Sequence, residues 1–423
     1  MPRRVVVTGI GILSPLAQGT AEHFDALLKG ACGIGPVTAF DVGEFPAKYA
    51  AEIKDFRGNK YLKNRKALKV MARDIQLAVA AASLAARDAG IYDGVANPER
   101  LGVSMGAGLV PGELDELASA VAVCLDEAKH FSLKKFGKEG IGALPPLWLL
   151  KYLPNMLNSH VAIEYNAQGP DNCITVGNAS SLLAIGEAAR VIERGQADFM
   201  MAGGAESKVH PLSLVRLFLT NKLSTAADVA TRGPRPFCRD RAGLVAGEGG
   251  AVLILEGKDH AKARGARIYA EVGGFGSSCG GQLQAEISSD GRGAKEAMTR
   301  ALADAKMEAR DVEAVFADAS GLPEDAVEAE VIAEVLGKGR LTIATRAALG
   351  HTMAGSGALD AAAACLSIDK GVLPGTFGVE CEPDLPIEVT SKSREGKFNA
   401  LLVNTFTFGG QTASMVFKRH TAE

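Results

Sequence analysis

An α/β architecture is predicted for this chain by three observations. Short β-branched runs such as Val5-Val6-Val7 alternate with Ala-rich stretches of helical period. Gly-containing turns separate them, and the pattern occurs twice. In the first half, a helical stretch from about Asp74 to Gly90 leads to the strand-like Leu101-Gly102-Val103-Ser104-Met105-Gly106. In the second half, Ala294 to Ala309 leads to Val312-Glu313-Ala314-Val315-Phe316-Ala317. Each pair is followed by a long Ala-rich helix. One opens at Gly177-Asn178-Ala179-Ser180-Ser181 and ends near Arg194-Gly195; the other opens at Gly350-His351-Thr352-Met353-Ala354 and ends near Lys370-Gly371. Both return to a strand and a Gly-Gly turn, at Phe199 to Gly204 and Ala400 to Gly410. The two halves are expected at 1–255 and 256–423, meeting near Glu256-Gly257 with no low-complexity linker, and so packing as one rigid body.

The 423 residues are 47% hydrophobic and 22% charged, enough apolar material for a large core. With 46 basic and 49 acidic residues the formal net charge is −3. No global field recruits nucleic acid or an acidic membrane, although a local basic patch is compatible with that balance. Seven scattered cysteines, without C-x-x-C spacing, argue against a disulfide framework or a zinc site. The start at Met1-Pro2-Arg3-Arg4 lacks a signal-peptide core and no run reaches membrane-spanning length, so a cytoplasmic protein without metal is expected.

Val7-Thr8-Gly9-Ile10-Gly11-Ile12-Leu13-Ser14-Pro15 contains G-x-G after a strand but no third glycine, and Pro15 interrupts the turn, which argues against a nucleotide site. Between Gly106 and Pro145, the stretch Glu113 to Lys129 places Leu114, Leu117, Val121, Cys124 and Leu125 on one helical face. A core-facing helix is the simpler expectation; an interface or a tunnel wall is the alternative.

Several words in a fixed order then narrow the field: Gly169-Pro170 to Gly186, Ala202-Gly203-Gly204-Ala205-Glu206, Gly247-Glu248-Gly249-Gly250, Leu349-Gly350-His351 and Asn404-Thr405-Phe406-Thr407-Phe408-Gly409-Gly410. In these the chain resembles, almost end to end, the β-ketoacyl-ACP synthases of fatty-acid synthesis and of type II polyketide synthases. The resemblance implies the thiolase fold, with two thiolase-like halves stacked in five layers, α-β-α-β-α. It also implies an acyl-accepting cysteine at the start of the long central helix, where the helix dipole favours a thiolate. Asn178 stands there instead, and an amide forms no thioester. Asn is also a favoured helix N-cap, so Asn178 is expected to cap the helix as well. Cys173, five residues upstream on an expected buried strand, reads as a small hydrophobe rather than a substitute nucleophile.

The family's two histidines are represented by Ser320, which cannot carry an imidazole's charge, and by the retained His351. A lone histidine at a helix start is more often structural than catalytic. The family's lysine becomes Arg346, and Glu328 matches an acidic position, with a solvent-facing charge equally open. Thr407 replaces the glycine of a mobile loop whose Phe408 N–H serves the oxyanion hole in active relatives, with Gly409 following; a β-branched residue there is expected to stiffen the loop.

Four altered positions, Asn178, Ser320, Arg346 and Thr407, make this a vestigial site without assigned catalytic residues. The pattern resembles the chain-length factor, a non-catalytic subunit that forms a heterodimer with an active ketosynthase and helps bound the product tunnel. The segment Leu147, Trp148 and Leu149 aligns with the tunnel interface. Trp148, the sole tryptophan, is expected either to plug the tunnel or to serve in the core or a plain interface. No cofactor is expected beyond the phosphopantetheine arm of an acyl carrier protein, the second partner. Asn178 departs from the Gln frequent in chain-length factors. The alternatives are a malonyl-ACP decarboxylase using His351 and an acyl-ACP-binding scaffold.

Overall fold

A computed structural model describes residues 3–91, 96–281, 289–379 and 385–421. To the main sheet the first half contributes five strands, β1 (Val5–Leu13), β2 (Leu101–Gly106), β3 (Asp171–Ile174), β4 (Phe199–Ser207) and β5 (Glu248–Gly257), in the order β1-β5-β4-β2-β3. The second half contributes β6 (Ala270–Cys279), β7 (Ala314–Phe316), β8 (Arg340–Ile343), β9 (Ala400–Phe406) and β10 (Gln411–Lys418), in the order β6-β10-β9-β7-β8. The orders are equivalent, and so are the directions: in each half the first two neighbouring pairs are antiparallel and the last two parallel. The duplication read from the sequence is therefore a duplication of topology. β1 and β6 pair through Val6–Glu271 and Val7–Ala270, which joins the halves into one ladder, extended at its far edge by Ile387–Glu388.

Seven helices matter for the site: α1 (Arg73–Asp88), α2 (Leu114–Val123), α3 (Met156–Tyr165), α4 (Ser180–Glu193), α5 (Arg292–Ala305), α6 (Asp325–Leu336) and α7 (Ser356–Lys370). α1 and α3 cover the outer side of the first half, and α5 and α6 that of the second. α4 and α7 lie between the halves and touch both, so their small residues build the central layer. This is the five-layered thiolase fold. The Ala-rich sequence of α7 follows from that position, because every residue from Ser356 to Ile368 is buried and only small side chains let two sheets approach one helix pair. The two long helices are tied where Ala358 N–H donates to Ser181 Oγ at 3.0 Å.

The G-x-G of the first strand has a packing cause. Gly9 and Gly11 lie inside β1, where any Cβ would run into the backbone of α1 at Ala85 and Ala81. Gly274 and Gly276 of β6 meet α5 in the same way at Ala301 and Ala297. Close strand-to-helix contact, rather than phosphate binding, explains these glycines.

Two expectations are corrected. The helix expected over Glu113 to Lys129 ends at Val123, and it is not core-facing: Leu114 and Val121 are 46% and 41% exposed, and only Ala120 and the following Cys124 are buried. Cys173 is half-buried rather than buried, because β3 is the edge strand, with Asp171 and Asn172 exposed. The six cysteines among the described residues are free thiols. No described helix is long and apolar enough to cross a membrane.

Candidate functional site

β3 ends at Ile174 and the chain turns into α4 through a single 3-10 turn, Gly177–Ala179. Gly177 has φ +81°, a left-handed conformation that favours glycine. Asn178 is thereby placed inside the helical run rather than at its flank. The cap position of α4 falls on Ala179, which has no capping side chain, and that of the 3-10 turn on Val176, so Asn178 does not take the N-cap role expected of it. Ser180 secures the turn instead: its hydroxyl accepts from Val176 N–H at 3.0 Å and sits 2.6 Å from Gly177 O.

Asn178 is 2% exposed, and its backbone N–H donates to Thr407 Oγ1 at 3.1 Å. Thr407 follows the end of β9 in a tight turn, where its N–H donates to Gln411 O at 3.0 Å and Gly410 N–H donates to its carbonyl at 2.9 Å. The Phe408 ring lies 4.3 Å under Lys222 Nζ, and Lys222 pairs with Glu324 at 2.7 Å. Gly409, at φ +99°, completes the turn. Asn178, Thr407 and Phe408 line one cavity of about 580 Å³ together with Leu109, Lys208 and Met353.

His351, Arg346 and Ser320 are buried close by and do not line that cavity. His351 Nδ1 accepts from Met353 N–H at 3.0 Å, which leaves the ring proton on Nε2. Burial, then the positive charges of Arg346 and Lys208, hold its pKa well below the usual imidazole value, so the ring is neutral. Nε2 is buried without a hydrogen-bond partner. The retained histidine is thus structural on one nitrogen and unspent on the other.

Arg346 donates to Ala317 O at 2.8 Å and to Asp318 Oδ1 at 2.7 Å, and its Nη1 lies 3.0 Å from Asp360 Oδ2. All three side chains are buried, so a cation is held between two anions away from water. The Ser320 loop is organised by Asp325, whose carboxylate accepts from the N–H groups of Ser320, Gly321 and Leu322 at 3.2, 2.9 and 3.3 Å. Burial raises the Asp325 carboxyl to about 6 despite these bonds. Glu328 is 2% exposed, which removes the solvent-facing reading. Its Oε1 accepts from Asp318 N–H and Asn404 Nδ2 at 3.1 and 3.2 Å, and burial pushes it up to about 8.

Cys173 gains nothing from this setting. Burial, then the Asp171 charge, raises its thiol to about 11, the opposite of an activated nucleophile. Sequence reasoning missed Lys208 and Asp74. Lys208 pairs with the buried Glu206 and donates to Leu109 O at 3.2 Å. Asp74, raised to about 7 by burial and the nearby Glu206, accepts from Ser207 N–H at 3.2 Å. Nothing in their sequence context marks either one.

The segment expected at a tunnel interface stands apart. Leu147 and Leu149 are 66% and 57% exposed, and Leu147 is in a left-handed conformation at φ 63°. Trp148 lies half-buried between them, 5.2 Å from the Tyr152 ring. Phe131, Leu133 and Ile141 are exposed on the same insertion. A second surface feature is the run from 54 to 69: Lys54, Arg57, Lys60, Lys63, Arg65, Lys66 and Lys69 are all exposed, with Asp55 the only acid among them. It answers the local basic patch left open by the composition.

Comparison with known proteins agrees with the geometry. Residues 2–261 match the family model of the β-ketoacyl synthase N-terminal domain, and residues 269–380 that of its C-terminal domain. A 3-oxoacyl-[acyl-carrier-protein] synthase 2 of Synechocystis sp. is 33% identical over 99% of this chain and 98% of its own length. Its counterpart in Vibrio harveyi is 34% identical over 99% of both chains. Among solved structures, the ishigamide ketosynthase/chain length factor superposes with a TM-score of 0.87 at 29% identity over the full length of both chains. A type II PKS acyl-carrier protein in complex with its ketosynthase, AntDE:AntF, gives 0.84 at 25% identity, again over all of both chains.

Proposed function

Since this chain belongs to the β-ketoacyl synthase family, we propose that it is a non-catalytic member, a chain-length subunit that pairs with an active ketosynthase and shapes the tunnel for a carrier-bound acyl or polyketide chain. One observation carries the reading: at the start of α4, where the family's thiol would sit, an amide side chain stands and its backbone N–H is already bonded to Thr407. A thioester needs a nucleophile there, and its carbonyl oxygen needs a free donor. The site offers no nucleophile, and the donor beside it is already spent.

The partner assignment is supported by the apolar surface of the insertion. Leu133, Leu147, Leu149 and Ile141 expose more than half of their area, and β3 is an edge strand of the sheet. Exposed apolar side chains grouped on one insertion, and open strand edges, are features of association surfaces. The carrier assignment is supported by the seven cations between residues 54 and 69, which suit an acidic partner. Lys63 stacks on Tyr165 at the end of α3, and the loop leading into α3 supplies Pro154 to the cavity wall.

The test is co-expression with a ketosynthase that has an intact cysteine and both histidines. A stable 1:1 complex is expected, together with no acyl transfer to this chain alone when it is incubated with acyl carrier protein thioesters and examined by intact mass. A purified chain that elongates acyl-ACP unaided overturns the reading. A decarboxylase is the second reading, favoured by the unspent His351 Nε2–H; it requires CO2 from malonyl-ACP that disappears in His351→Ala.

A further inference from the structure

The first N–H groups of a helix have no partner within it and are natural ligands for a developing negative oxygen. In this chain one of them is met from inside. Thr407 is 2% exposed, so its hydroxyl reaches Asn178 N–H at 3.1 Å without competition from solvent. The backbone puts it there. Thr407 is the first residue after β9, and the turn closed by its hydrogen bonds with Gln411 and Gly410 aims the side chain at Gly177. Gly177 leaves room for the hydroxyl, because a Cβ there would collide with Thr407 Oγ1. The neighbouring Phe408 is fixed by Lys222 and Glu324, so the turn is held on both sides of the contact. Glycine or alanine at position 407 would leave Asn178 N–H open toward the cavity.

We propose that Thr407 is a resident lock on the old acyl site: its hydroxyl occupies the place of a thioester carbonyl oxygen and keeps the remaining donors from meeting a substrate. This deepens the reading of the chain as a non-catalytic member and rests on it. With the lock removed, a malonyl thioester could place its carbonyl oxygen on Asn178 N–H. The bond between its α-carbon and carboxylate then breaks and releases CO2. The electron pair enters the enolate, whose oxygen is held by Asn178 N–H. Water returns a proton to carbon, leaving an acetyl thioester. No cysteine is needed for these steps.

The experiment compares wild type, Thr407→Ser, Thr407→Ala and Thr407→Gly, each as the full chain in complex with its ketosynthase, the latter inactivated at its cysteine and both histidines. Binding of a non-cleavable malonyl-pantetheine amide is read by calorimetry, and CO2 and acetyl-ACP are read from malonyl-ACP. Thr407→Ser keeps the hydroxyl and should behave as wild type. Thr407→Ala should bind the amide at least about 10-fold more tightly and release CO2 on the order of 100-fold faster than wild type, the effect of one oxyanion donor. Thr407→Gly replaces Thr407→Ala if the latter fails to fold. An opened variant that binds the amide no better than Thr407→Ser overturns the lock and leaves the non-catalytic reading standing. Wild type that releases CO2 at the rate of the opened variant overturns both.

Discussion

Glu328 makes the buried site a pH sensor of stability. Its carboxyl is 2% exposed and is raised by burial to about 8, from a value near 4.5 in an unfolded chain. Between those two values the folded state holds a proton that the unfolded state has released, so stability falls as pH rises. The loss is complete once pH has passed through the folded value. For a single group with these two pKa values, the linkage relation gives a loss of about 2–3 kcal/mol between pH 6 and pH 9, of which about 1–2 kcal/mol falls above pH 7. Glu328→Gln copies the protonated acid. Its amide oxygen can accept from Asp318 N–H and Asn404 Nδ2 as Oε1 does, and its NH2 stands in for the acid hydroxyl. At pH 6 the variant should already be more stable than wild type by about 2 kcal/mol, because unfolded wild type has released its proton there, and from pH 6 to pH 9 it should lack this component of the loss. With an unfolding entropy of about 0.9 kcal/mol/K for 423 residues, the midpoints of the two proteins should diverge by about 2–3 °C. Differential scanning calorimetry at pH 6, 7, 8 and 9 measures this. Asp74 also titrates upward of its usual value, but it is common to both proteins and cancels in the difference, whereas Asp325 interacts with Glu328 through its charge and titrates mainly below this window, near 6. Parallel curves for wild type and Glu328→Gln across pH 6–9 refute the reasoning.

Three further outcomes are expected. Arg346→Met should destabilise the fold by about 3–5 kcal/mol at neutral pH, because Asp318 and Asp360 are left buried without their cation; a midpoint drop of about 3–6 °C in the same calorimetry checks it. That deficit should shrink as pH falls, since protonating the two carboxyls removes the unpaired charge, and burial already raises the Asp360 pKa in the wild type. Asn178→Cys alone should take up no acyl group from acyl-ACP by intact mass, since the Thr407 hydroxyl still occupies the N–H at that position. Leu147→Asp with Leu149→Asp should weaken the complex with the ketosynthase by about 2 kcal/mol or more, roughly 30-fold, in analytical ultracentrifugation, without lowering the thermal midpoint of the isolated chain, because both side chains are mostly exposed.

Hydrophobic period and turn residues made much of the fold legible. The runs around Leu101, Phe199 and Ala314 became strands, and the stretches opened by Gly177 and Gly350 became the central helices, because an Ala-rich helix between two sheets has a composition that few other positions share. The stripe from Leu114 to Leu125 misled for a physical reason: helical period shows that one face is apolar, not what covers it, and among the described residues Leu114 and Val121 stay exposed. Asn178 misled in a similar way. Its residue type suits a cap, but the extra 3-10 turn moved the cap to Ala179, a shift of one residue that propensity does not encode. Asp74 and Asp360 were illegible because a buried charge is made tolerable by partners that only the fold brings close, such as Ser207 for Asp74 and Arg346 for Asp360, and Lys208 because its pairing with Glu206 two residues away shows in no motif.

The replacements at the old site are not independent losses. Asn178 and Thr407 share a hydrogen bond, so the amide position and the stiffened turn form one unit. Arg346 is matched by Asp318 and Asp360, which a residue with fewer donors would leave underbonded. The loop bearing Ser320 is fixed by three bonds to Asp325, so the serine sits in a rigid frame rather than in the relic of a histidine pocket. A site that had merely decayed would leave buried polar groups unmet wherever a partner had gone, at about 1–3 kcal/mol each. Here the altered positions make several bonds, and buried atoms without a hydrogen-bond partner among the described residues include His351 Nε2, Arg346 Nε and Asp360 Oδ2. The bonds of Arg346, of Asp325 and of Asn178 with Thr407 keep this region rigid, which is what the proposed role of presenting a shape and surface to a partner requires.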